Sequence, residues 1–115
     1  MLFRSSITIA GDASPIIPVH QATGTVPKLV KTISLLAGDY AAPKARIGCA
    51  NPAYAATLEL RQPDGTVLAT IGGVAGHVQW RTAGAGFTLA DDSEIDLMLT
   101  SDDSAQPALI RGFKL

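Results

Sequence analysis

Cysteine occurs once in this chain of 115 residues, at Cys49, and that scarcity removes two ways of holding a small protein together. One thiol cannot form an intramolecular disulfide, and a cysteine-rich zinc cluster needs several. A reducing compartment at the time of folding is the natural expectation. Aromatic residues make up only 5%, three Phe, two Tyr and one Trp, so a core must be built from Leu, Ile, Val and Ala around few large anchors. There are two imidazoles, His20 and His77, and no third ligand is signalled at a zinc spacing. No apolar run approaches the ~20 residues of a membrane helix. In "MLFRSSITIAGDASP" the apolar part is broken by Arg4, Ser5, Ser6 and Thr8, which reads as a first strand rather than a signal peptide. The formal net charge of −1 supplies no field toward nucleic acid or an anionic membrane, and neither is an expected partner. Asn51, the one asparagine, precedes Pro52 and so is no glycosylation acceptor.

What is present is an alternation of short wet and dry residues. A hydrophobic fraction of 47% over this length fits a single domain with its own core, residues 1–115. Glycine or proline recurs roughly every ten residues, the punctuation of short strands, and leaves little room for a helix. In "YAATLELR", Tyr54, Ala56, Leu58 and Leu60 share one side, and Thr57, Glu59 and Arg61 the other. The same phase puts Ala45, Ile47 and Cys49 inward in "KARIGCA", Ile95, Leu97 and Leu99 inward in "EIDLMLT", and Val78 with Trp80 inward in "GHVQWRT". One face wet and one dry marks antiparallel sheets. "ATLELRQPDGTVLATIGG" is a hairpin turning at Pro63-Asp64-Gly65. The expected fold is all-β, an antiparallel two-sheet β-sandwich of about eight to nine strands, jelly-roll-like, with an immunoglobulin-like sandwich as second choice. Residues 11–27, "GDASPIIPVHQATGTVP", carry Pro15, Pro18 and Pro27 and read as an extended arm or edge segment.

Chemistry-bearing patterns are sparse. Asp91, Asp92, Glu94, Asp96, Asp102 and Asp103 give residues 82–110 a charge of −6, and the nine bases against the other four acids leave the rest at +5. Paired aspartates suit a hard cation such as calcium. Their spacing fits no EF-hand, and two solvated turns account for them better, with an acidic patch meeting a basic patch on a neighbouring copy as a further alternative. Cys49 has the inward phase of a small buried hydrophobe. No Gly-x-Ser-x-Gly elbow is present, and no carboxylate pair faces a cleft. "IGGVAGHV" and "TAGAGFT" lack the lysine of a phosphate loop and the helix of a dinucleotide fingerprint, and read as hinges between strands. No catalytic residue, metal ligand or cofactor is therefore expected.

Two resemblances add to this reading. "VKTISLLAGDYAAPKARIGCA" followed by "ATLELRQPDGTVLAT" resembles the middle strands of carbohydrate-binding-like jelly rolls, through Leu35, Gly38 and Tyr40 and then Asp64, Gly65 and Thr66. "EIDLMLTSDDSAQPALIRGFKL" resembles their closing strand pair. That likeness implies a glycan-binding module, with Tyr40 as the ring to contact sugar. As a small, Ala/Gly/Thr-rich, cysteine-poor chain beginning at Met1, the sequence also resembles accessory proteins of tailed bacteriophage virions, which decorate or cement a capsid or form fibre and tail parts. This second likeness implies a non-enzymatic, multi-copy structural protein located in the virion, its partners other virion proteins and copies of itself. In the arm, Ile16, Ile17 and Val19 are the expected interface residues, because proline pre-orders an extended segment and lowers the entropy lost on docking. An enzyme-accessory or immunity-type protein is a third class.

Overall fold

The computed structural model describes residues 27–103 and 106–115 in full and the backbone of Ile17–His20. Ten strands run through them: β1 (Ile17–His20), β2 (Lys28–Leu35), β3 (Gly38–Tyr40), β4 (Lys44–Cys49), β5 (Ala55–Arg61), β6 (Val67–Ala75), β7 (Gln79–Thr82), β8 (Phe87–Leu89), β9 (Ser93–Ser101) and β10 (Ala108–Lys114). Among the described residues there is no helix.

Every pairing is antiparallel. One four-stranded sheet has the order β1-β10-β4-β7, the other β2-β9-β5-β6, and β3 pairs with β8 apart from both. The pairs nest: β5 with β6, β4 with β7, β3 with β8, β2 with β9 and β1 with β10. The chain is thus one long two-stranded ribbon, bent so that β10 also meets β4 and β9 also meets β5. The two sheets share one core in the manner of a sandwich. Contacts between the far ends of a chain must overcome loop-closure entropy before they contribute. Stopped-flow refolding should accordingly take milliseconds to seconds, and microsecond refolding would be inconsistent with this pairing.

Alternation builds the core as expected. Ala56, Leu58 and Leu60 of β5 share the inward face of one sheet with Ile95, Leu97 and Leu99 of neighbouring β9, and Ala45, Ile47 and Cys49 of β4 come from the other sheet, all fully or nearly fully buried. Burying each Leu or Ile side chain contributes roughly 1.5–3 kcal/mol. β10 departs from strict alternation. A bulge between Ile110 and Gly112 shifts the phase, so that Ile110 and Phe113 both point inward while Arg111 stays exposed.

The β5–β6 turn closes through Gly65 N donating to the Gln62 carbonyl (2.8 Å) and Gln62 N donating to the Thr66 carbonyl (2.8 Å). Gly65 supplies the left-handed φ of 92°. Asp64 Oδ1 accepts the Thr66 amide at 2.9 Å, and that backbone hydrogen bond holds its carboxyl below the ordinary value.

Two expectations are corrected here. "IGGVAGHV" is not a hinge over its first part, because β6 continues through Gly72 and Gly73 to Ala75. A bulge opposite Ala56 and Thr57 absorbs their positive φ values of 89° and 82° without ending the strand. Trp80, expected in the core beside Val78, is 44% exposed. Its Cα partner is Arg46, which points outward between buried Ala45 and Ile47, and directly opposed residues share a face.

Candidate functional site

Tyr40 is the first expected site residue to be corrected. It is only 4% exposed, its ring stacks on Phe87 at 5.1 Å between centroids, and its hydroxyl donates to the Leu36 carbonyl at 2.8 Å. β3 and β8 hold the two rings together, and Gly86 lets them close, since a Cβ there would collide with the Tyr40 carbonyl oxygen. A ring packed on its face and tethered at its hydroxyl offers no platform to a sugar. Tyr54, the other tyrosine, is half-buried against the core.

The arm residues have a partial placement. Ile17 and Val19 fall in β1, an outer strand paired with β10 through Ile17↔Ile110 and His20↔Ala108. Ile16 lies outside the described residues.

Cys49 is buried, with its Sγ 3.6 Å from the Ser101 hydroxyl, which also accepts the Asp103 amide at 3.2 Å. Burial pushes the thiol above its ordinary range, and nearby Asp102 and Asp103 add to the shift. A thiol kept protonated and covered is a poor nucleophile. It should label slowly with a thiol reagent in the native protein and fast in denaturant. The raised native value also gives a sign for stability. The protonated form is favoured by folding, so this contribution is present below the ordinary thiol pKa of about 8.5 and is lost as pH climbs toward the native value. Chemical denaturation at pH 7.5 and 9.5 reads this loss, which the Cys49→Ala variant should reduce.

The acidic block divides. Asp91 and Asp92 precede β9, Glu94 and Asp96 lie on it, and Asp102 and Asp103 follow it. Asp92 Oδ1 accepts the Ala37 amide at 2.7 Å. Among the described residues no three His, Cys, Asp or Glu side chains gather as a metal site. A hollow of about 310 Å³ opens between Ser34–Leu36 and Asp92–Glu94, and another of about 340 Å³ lies over Thr57, Glu59, Arg61 and Thr100. Each is at the small end for a ligand site.

The arrangement with most to offer lies on open sheet. On the outer face of the β1-β10-β4-β7 sheet, Lys114, Lys44 and Thr82 form one cross-strand row, and Gly112, Arg46 and Trp80 form the next. Lys114 Nζ sits 4.9 Å from the centroid of the Trp80 ring. β4, β7 and β10 contain no acidic residue to balance these cations. Lys44 and Lys114 are even direct cross-strand partners, a like-charge pairing that costs stability in isolation.

No protein-family description, curated protein or solved structure matches this chain.

The site is therefore read from its own chemistry, an apolar indole set among fixed positive charges. Sequence reasoning missed it because Trp80 follows the same alternation as a core residue, and only the register with Arg46 reveals its side. As the one tryptophan, it reports directly on this face. Its emission should be that of a water-exposed indole, and at low salt iodide should quench it several-fold more efficiently than caesium. Equal quenching by the two ions would mean the cations do not dominate the surface.

Proposed function

We propose that this chain is a non-enzymatic structural protein of a virus particle, a capsid decoration or cement protein or a fibre or tail component, acting through protein–protein contacts. The nested strand pairing supports the jelly-roll form of the fold. Eight strands rolled as a double ribbon give two four-stranded sheets, and the orders β1-β10-β4-β7 and β2-β9-β5-β6 are those such a ribbon leaves. On this reading β3 and β8 extend the same ribbon where it bends between the sheets.

The observation that carries the proposal is Trp80, a large apolar ring exposed on a basic sheet face. Interfaces draw much of their affinity from a few aromatic and Arg anchors, and Trp80 lies beside Arg46. Burial of Tyr40 weakens the glycan-binding alternative, since the ring that reading relied on is packed against Phe87 in the core. Among the described residues, no helix is long and apolar enough to cross a membrane.

The test is fractionation of the native source on a density gradient. The chain should travel with large particles through successive gradients and resist removal by washing. Recovery only among low-mass proteins would overturn the proposal.

A further inference from the structure

The two outer faces of the sandwich are chemically complementary, and on this basis we infer that copies of the chain stack head to tail, the basic face of one on the acidic face of the next. This inference rests on the structural reading above and names the partner of its surface.

The acidic face belongs to the β2-β9-β5-β6 sheet. Along β9, Glu94, Asp96, Met98 and Thr100 alternate with the buried Ile95, Leu97 and Leu99, so they all point outward. β9 contains no basic residue. Arg61 on β5 is ion-paired with Glu59 and is also the direct cross-strand partner of Asp96, so Glu94, Asp96 and Glu59 outnumber this single cation and the face keeps a net charge of −2. Asp96 is oriented by the Thr32 hydroxyl, which donates to it at 2.8 Å. Lys28 and Lys31 of β2 oppose Leu99 and Leu97 and are both exposed along the sheet's edge, with a register shift between Leu29 and Lys31.

Each face also has an apolar centre beside its charges. Leu29, 51% exposed, is the cross-strand partner of Met98, and Asp96 lies one outward position along β9. Trp80 has Arg46 as its partner and Lys114 over its ring. Laying Trp80 on Leu29 and Met98 removes two exposed apolar groups from water. It also brings Arg46, Lys44 and Lys114 toward Asp96 and Glu94, which relieves the repulsion between Lys44 and Lys114. The flexible thioether of Met98 adapts readily to an aromatic ring.

The geometry fixes the kind of assembly. The faces belong to different sheets on opposite sides of one core, so the contact is between unlike patches. Such a contact leaves a free basic face at one end and a free acidic face at the other, and it propagates as a stack or closes as a ring. A two-fold dimer would instead have to press like charges together.

Two variants that each lose one face test this. Arg46→Gln with Trp80→Ala removes the basic face, and Glu94→Gln with Asp96→Asn removes the acidic face. Circular dichroism and thermal melting first establish that both remain folded. Light scattering after size exclusion should show wild-type mass growing with concentration at low salt. Each variant alone should stay at the 11.9 kDa of one chain, and an equimolar mixture should give a 1:1 dimer and nothing larger. A mixture that stays monomeric while the wild type associates overturns the face pairing and leaves the structural reading standing. Either variant assembling alone as the wild type does also overturns it. Absence from particles in the gradient experiment is the separate outcome that removes the reading underneath.

Discussion

Phe113→Ala should lower the stability of this domain by about 3–5 kcal/mol, the cost of emptying a fully buried aromatic site. Phe113 has no exposure and is the largest of the completely buried side chains among the described residues. It reaches the core only because the β10 bulge brings it inward two residues after Arg111. Total stability for a domain of this kind is about 5–15 kcal/mol, so the loss is a large share of the whole. The melting temperature should fall by roughly 10–20 °C. Urea unfolding checks the magnitude, with Leu29→Ala as a control. Leu29 is half exposed, and its truncation should change stability by no more than about 0.5 kcal/mol. A Phe113→Ala penalty no larger than the control's would mean that β10 does not pack as described.

Gly72→Ala should cost about 2–5 kcal/mol, from two effects that a second glycine separates. Gly72 has a φ of 89°, where a side chain brings roughly 1–2 kcal/mol of backbone strain. A Cβ there would also collide with the Ala56 carbonyl oxygen and come within 2.7 Å of Ile47 Cδ1, overpacking worth about 1–3 kcal/mol. Gly73, with a φ of 82°, has the same strain, but its Cβ would meet only Thr57 Oγ1 at an ordinary 3.6 Å. Gly73→Ala should therefore show the strain alone. The difference between the two variants measures the collision, and equal penalties would place the β5–β6 bulge elsewhere.

Much of the local structure is legible from sequence. The alternation in β4, β5 and β9 and the turn at Asp64-Gly65 are written in residue types, because burial on one face and a left-handed turn position admit few substitutes. What is not legible depends on contacts distant in the chain. Several strands carry the same wet-dry rhythm, so the rhythm alone does not say that β10 will lie between β1 and β4. The β10 and β6 bulges each break the period at one residue, which hides the inward turn of Phe113 and makes Gly72-Gly73 look like the end of a strand. Tyr40 sits beside Gly38 in what reads as an open loop, and its burial follows from Phe87, 47 positions later, arriving on its face. Trp80 errs in the opposite direction, since its exposure follows from register with Arg46 and not from its own neighbours. The charge division between residues 82–110 and the remainder is visible in sequence. That one part of it, Lys44, Arg46 and Lys114 against Glu94 and Asp96, falls on two different sheets is a property of the fold.

The central claim is that these two outer faces, rather than a pocket, carry the protein's activity by contact. Sedimentation velocity of the unmodified chain across a concentration series, at about 20 mM and 500 mM salt, addresses it most directly. The account predicts a sedimentation coefficient that rises with concentration at low salt and returns to that of a single 11.9 kDa chain at high salt. A single unchanging monomer at every concentration and both ionic strengths would contradict it.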